Sequence, residues 1–229
     1  MKSLPTVVIS AAGRGTRMGQ ARPKCLSPIL GKPLVHWQLQ SIEDFSHLIV
    51  AVGFRADEVI AAVRAIRPDA EFVVNREYET TGTASSLSLA MNQAKRPVIS
   101  LDGDLLVHPA DVLSLAHATT PAIGVCDIQS LAPVLTRIQV ADDGELLATS
   151  FHHGETMAST ADMLEWTGLV TFDPGTHTVS GKGHVYQMIL PLLPCRAVHV
   201  RCREIDYPEE VPLMEAWLQT LIGEGVFRG

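Results

Sequence analysis

Short apolar runs alternate along the first half of the chain with stretches whose apolar positions recur every three or four residues. Val7–Ser10, Leu48–Val52, Phe72–Val74 and Val98–Leu101 read as strands. Between and after them, four segments read as helices. The first runs from Pro33 to Phe45, with Leu34, Trp37, Ile42 and Phe45 along one side. The second is capped by Asp57 and carries Val59, Ile60, Val63 and Ile66 at the 3.6-residue period. Thr83 to Ala94 and Asp111 to Ala118 supply the others. This strand–helix rhythm predicts an α/β fold around a mostly parallel sheet.

The rhythm changes after Ala122–Cys126. Leu135–Val140 and Glu145–Phe151 flank Asp142-Asp143-Gly144, the composition of a β-hairpin turn. Gly168–Phe172 reads as a further strand and Tyr186–Leu193 as a short helical segment. Pro208 precedes a closing helix from Glu209 to Ile222. No proline- or serine-rich linker interrupts the chain. A single domain over 1–229 with a hairpin-bearing second half is therefore expected.

Charge narrows the function classes. The net charge of −7 argues against a nucleic-acid-binding surface, which needs a basic stripe. Cys25, Cys126, Cys195 and Cys202 show neither C-x-x-C spacing nor histidines at zinc distances, so buried free thiols are expected. Val7 to Ala12 is too short for a signal-peptide core, and no apolar run approaches a membrane span. The expected location is the cytoplasm, with no membrane partner.

Against that acidic background, one segment is basic. The Val7–Ile9 run opens into a turn in which Gly13 and Gly15 leave backbone amides uncovered, and Arg14, Arg17 and Lys24 stand around it. Uncovered amides with fixed positive charge suit a polyphosphate. The turn is not the dinucleotide-binding G-x-G-x-x-G, because Met18 occupies the third glycine position, and no Gly-Lys-Ser/Thr of a P-loop occurs. A second cluster, Asp102-Gly103-Asp104, follows directly on the fourth strand. Two carboxylates at a strand end make a site for a hard divalent cation such as Mg²⁺.

Ala11-Ala12-Gly13-x-Gly15-x-Arg17-Met18-Gly19, Pro23-Lys24 and Gly31-Lys32-Pro33-Leu34 together resemble the signature of the nucleotidyltransferase superfamily. Ala11-Ala12-Gly13, Arg17-Met18-Gly19 and Glu204-Ile205-Asp206 are most similar to phosphocholine- or phosphonate-type cytidylyltransferases. The resemblance implies a Rossmann-like, GT-A-like fold. It implies that Ala11, Ala12, Gly13, Arg14, Gly15 and Thr16 bind the nucleotide, with Arg17 and Lys24 as catalytic cations. It implies Mg²⁺ on Asp104 and Asp206, with Asp102 on the substrate side. Gly82-Thr83-Ala84 is similar to the base-contacting turn of uridylyltransferases and adds Gly82, Thr83 and Ser85 to the nucleoside pocket. Glu165-Trp166-Thr167-Gly168 resembles an acceptor-side segment and assigns Glu165, Trp166 and Gly168 there.

The reaction implied is displacement at the α-phosphorus of a nucleoside triphosphate by an acceptor phosphate or phosphonate oxygen, with pyrophosphate leaving. CTP is favoured as donor, and the acceptor is a small phosphocholine-like molecule, a phosphonate or a sugar 1-phosphate. Tyr78, Trp166, Tyr186 and Glu165 are candidate walls for a choline cage. Three other readings stand beside this one: a uridylyltransferase acting on a sugar 1-phosphate, a metal-dependent glycosyltransferase using Asp102-x-Asp104, and a non-catalytic nucleotide-binding domain.

Overall fold

The computed structural model describes residues 3–19, 22–94, 96–127, 136–142, 146–153, 163–177 and 183–229. In chain order the elements are β1 (Thr6–Ala11), a small hairpin β2 (Pro28–Ile29) and β3 (Lys32–Pro33), α1 (Leu34–Ser41), β4 (Leu48–Val52), α2 (Ala56–Arg64) and β5 (Glu71–Val74). Then come α3 (Thr83–Gln93), β6 (Val98–Asp102), β7 (Leu105–Val107), α4 (Pro109–His117), β8 (Ala122–Cys126), β9 (Thr136–Asp142) and β10 (Leu146–His153). The chain closes with β11 (Met163–Phe172), α5 (Val185–Ile189), β12 (Cys195–His199), β13 (Cys202–Glu204) and α6 (Val211–Gly223).

Nine strands form one sheet in the order β5-β4-β1-β6-β11-β8-β12-β10-β9. Pairing is parallel from β5 to β6, as the rhythm of the first half predicts, and again between β8 and β12. The second half joins mainly by antiparallel pairs, including the expected β9–β10 hairpin. Residues 143–145 of its turn lie outside the described residues. β1 is almost wholly apolar because both its edges and both its faces are covered. One face carries α1, α2 and α4 over Val7, Ile9 and Val50, and the other carries α3 and α5 over Val8, Ile49 and Val98.

A third, smaller core decides where the chemistry sits. Met18, Leu106 and Ile205 pack with Trp37, Met214 and Leu218 beneath α6. Their neighbours in sequence are Arg17, Leu105 and Asp206, so one apolar cluster anchors three distant pieces of chain. Burying each large apolar side chain contributes roughly 1.5–3 kcal/mol.

Several boundaries differ from the sequence expectation for local reasons. α1 ends at Ser41, where Ile42 leaves helical geometry with φ −120°. Asp57 is not the cap of α2. Arg55 precedes that helix in the left-handed conformation, and Asp57 and Glu58 lie in the first turn, favoured by the dipole. α4 starts earlier than Asp111, because the His108 ring accepts the Ala110 amide and Pro109 fits the first turn. β11 is twice the expected length, and Gly168 (φ +81°) sits where its pairing with β8 shifts register. β7, β12 and β13 were not expected.

Candidate active site

The carboxyl ends of β1 and β6 lie side by side, with Ser10 opposite Asp102 in the parallel register. That juxtaposition places the glycine-rich loop directly beside Asp102-Gly103-Asp104. Gly103 donates its amide to the Ser10 carbonyl at 3.0 Å, and a Cβ on Gly103 would stand 2.8 Å from that oxygen. Only glycine permits the approach. Gln38 of α1, fully buried, holds the same turn from behind by donating to the carbonyls of Asp102 (3.0 Å) and Leu105 (2.8 Å).

Asp206 arrives from the far end of the chain through the β7–β13 ribbon. Glu204 pairs with Leu105, and the Ile205 amide donates to the Asp104 carbonyl at 3.1 Å. The Glu210 carboxylate then fixes the turn by accepting the amides of Asp206 (2.6 Å) and Tyr207 (2.9 Å). One carboxylate oxygen from each of Asp104, Glu204 and Asp206 lies within 4.8 Å of the other two.

Cations converge on this cluster. Lys24 Nζ donates to Asp104 Oδ2 at 2.7 Å and also to Asp206 Oδ1. Arg17 donates to Asp206 Oδ2 at 2.6 Å, and its guanidinium lies 5.9 Å from the Tyr207 ring centre. Burial alone would lower the lysine pKa, yet Asp104 and Asp206 outweigh it and hold Lys24 above its ordinary value; Arg17 is raised against its own burial, chiefly by Asp206. Burial pushes the Asp102 carboxyl up to about 8, reinforced by Asp104 and Asp206 and opposed by Lys24. Glu204 opens onto the cleft but is hemmed in by protein atoms, and this desolvation with three neighbouring carboxylates raises it well above the usual range.

One cleft, a cavity of about 320 Å³, is lined by Ala11, Gly13, Gly15, Thr16, Arg17, Lys24, Thr83, Asp102 and Asp104. All nine are among the residues singled out in the sequence. Ser10, Cys25, Gly103, His184 and Glu204 line it too and were not singled out. Glu204 closes the three-residue β13 and Asp206 lies just beyond it, so no strand period in the sequence points to Glu204. A second cavity of about 370 Å³ adjoins the first through Glu204 and contains Asp206, Glu165, Thr167, Arg203 and Leu213.

Other expected site residues are placed differently. Arg14 turns outward to Glu79 at 3.1 Å and lies over the Phe54 ring. Ala12 packs against Gly53, and its carbonyl accepts the Phe54 amide. Gly82 and Ser85 stand behind Thr83: a Cβ on Gly82 would collide with the Gly183 carbonyl at 2.0 Å, and the Ser85 amide donates to Gly82. The glycine therefore admits a neighbouring backbone. Thr83 Oγ1 accepts the Val185 amide at 3.2 Å, tying α5 to this turn. Gly168 faces Asp102, whose Oδ2 lies 2.5 Å from where a Cβ would be. Trp166 lines neither cavity. It packs edge-on against Phe151 at 5.7 Å and joins the core beneath α3 and α5, because alternation along β11 sends Glu165 and Thr167 to the opposite face. Tyr78 stands against Phe54, and Tyr186 stacks on His153, so the four candidate cage residues do not meet.

The four cysteines are free and buried. Among the described residues, no helix is long and apolar enough to cross a membrane.

Residues 7–160 match the family model described as the MobA-like NTP transferase domain. The bifunctional protein GlmU of Burkholderia mallei (strain SAVP1) is 33% identical over 186 residues, covering 73% of this chain and 41% of that protein. The chain thus spans less than half the length of these curated relatives. Among solved structures, the inositol-1-phosphate CTP transferase from T. maritima superimposes with TM-score 0.76 at 18% identity, covering 99% of both chains. HddC from Yersinia pseudotuberculosis, in its complex with GMP-PN, gives 0.70 at 17% identity over 94% of this chain and 100% of its own. These likenesses establish the shared fold.

Proposed function

Since the chain belongs to the family of MobA-like NTP transferase domains, we propose that it transfers a nucleoside monophosphate from a triphosphate, with CTP favoured, to a small phosphorylated or phosphonate acceptor, releasing pyrophosphate. The observation that carries this reading is the meeting of Lys24 and Arg17 with Asp104 and Asp206 at the end of an amide-lined glycine loop. The cations distinguish it from a glycosyltransferase, whose Asp-x-Asp needs no basic loop. A cytoplasmic location and a single domain accompany the proposal.

The residues suit Mg²⁺. Three carboxylates supply hard oxygen donors, and Asp104 Oδ1 is buried without a protein partner. Asp104 and Asp206 would hold the ion, with Glu204 beside them. When bound, Mg²⁺ supplies charge neutralisation and orientation at the phosphorus under attack. The amides around Gly13, Gly15 and Thr16 position the triphosphate, while Arg17 and Lys24 stabilise charge on its oxygens. Thr83 marks the nucleoside end of the cleft. The cavity containing Glu165 and Thr167 receives the acceptor, whose oxygen is already ionised at neutral pH, so no protein nucleophile is needed. With no aromatic residue among the described residues lining it, that cavity favours a compact polar acceptor over a quaternary ammonium.

Pyrophosphate release tests the proposal, using CTP, UTP and GTP each paired with 2-aminoethylphosphonate, phosphocholine and several sugar 1-phosphates. Product masses from equal CTP and UTP should show the cytidine product in excess. A uridine product in excess overturns the base preference, and no pyrophosphate with any pair overturns the transfer reading.

A further inference from the structure

We propose that Lys24 keeps the metal site closed until a triphosphate draws its ammonium away, so that cation and nucleotide enter together. The inference rests on the reading of Asp104 and Asp206 as metal ligands.

The oxygens those carboxylates offer are largely engaged. Asp104 Oδ2 and Asp206 Oδ1 accept from the Lys24 ammonium, and Asp206 Oδ2 accepts from Arg17. The remaining oxygen, Asp104 Oδ1, is buried and has no protein partner. A hard divalent cation needs several of these oxygens at short distance with near-ideal geometry. It would therefore occupy the space where the ammonium lies, and the two positive charges repel strongly in a cleft of low dielectric. The lock is tight at Lys24, whose side chain is 12% exposed, and looser at Arg17, which is 53% exposed.

The same geometry supplies the key. The Lys24 stem lies against Gly15, with its Cγ 2.8 Å from where a Cβ on that glycine would sit. The ammonium is thus tethered to the loop whose amides suit phosphate. A triphosphate seated there offers it an alternative anion within reach of a flexible four-carbon stem. Moving to that anion frees two carboxylate oxygens for the cation.

Mn²⁺ binding to the nucleotide-free protein, followed by the free-ion EPR signal, tests this. Lys24→Met should bind Mn²⁺ about tenfold or more tighter than wild type, because a like charge in contact with the site is removed. Lys24→Gln should do the same, while Lys24→Arg should stay near wild type. The neutral variants should also bind CTP more weakly, a combination that a purely structural role for Lys24 does not produce. If folded Met and Gln variants bind Mn²⁺ no tighter than wild type, the lock is overturned while the metal reading stands, provided Asp104→Asn still weakens binding. If Asp104→Asn and Asp206→Asn leave Mn²⁺ affinity unchanged in the Lys24→Met background, the metal reading itself fails, and the lock with it.

Discussion

Two groups of acids in this molecule are handled in opposite ways. Asp111, in the first turn of α4, meets one arginine: Arg201 Nε donates to its Oδ2 and Nη2 to its Oδ1, both at 2.9 Å, and the Arg201 amide adds a third bond. Burial would raise the Asp111 carboxyl, but these bonds bring it below its ordinary value. In the cleft, Asp102, Asp104, Glu204 and Asp206 share Lys24 and Arg17. There burial and mutual repulsion push Asp102 up to about 8 and Glu204 well above its usual range. The first arrangement stabilises the fold. The second opposes folding and persists because the third apolar core holds its members together, the pattern expected where charge is kept for binding or chemistry.

The sharpest way to break this contrast is to remove the cleft cations. Lys24→Ala and Arg17→Ala should leave folded proteins whose turnover is lower by about 10²–10³-fold each, the loss typical of one group stabilising transition-state charge. Near wild-type rates in both would remove the phosphate loop from the account. Next in size, Asp104→Asn should impair Mg²⁺-supported turnover more than Asp102→Asn does, and chelation should abolish it. Greater sensitivity at Asp102 would reverse the choice of ligand.

Stability should move in opposite directions in the two regions. A raised carboxyl is protonated in the native state while the unfolded chain ionises near pH 4. Its unfavourable contribution therefore grows from about pH 4 and levels off above about pH 8. Asp102→Asn should thus stabilise the metal-free protein by roughly 1 kcal/mol at pH 8, read as a higher melting temperature, and leave it unchanged at pH 3.5. A lowered Asp111 carboxyl stabilises above its unfolded pKa and loses that contribution as pH falls through its native value. Asp111→Asn should destabilise by at most about 1 kcal/mol at pH 7, since Arg201 is more than half exposed. Melting curves across pH read both effects, and equal signs would dissolve the comparison.

The first four sheet strands, the glycine loop and the Asp-Gly-Asp turn were legible because each rests on local pattern: short apolar runs, glycine spacing and clustered charge. The β7–β13 ribbon that brings Asp206 to Asp104 was not, since three-residue strands carry no readable period. Trp166 and Glu165, given one role from the sequence, face opposite sides of β11, because alternation separates adjacent residues in a strand. At the Gly82 turn the sequence is silent for a different reason. Its close partner is Gly183, far away in sequence, and nothing local announces that approach.

The most direct test of the central claim follows the label in the triphosphate. With an accepted acceptor and Mg²⁺, CTP labelled at the α-phosphorus should pass its label into the acceptor product, while CTP labelled at the γ-phosphorus should yield labelled pyrophosphate. Label from the γ-position in the acceptor product, or none from the α-position, would contradict nucleotidylyl transfer at this site.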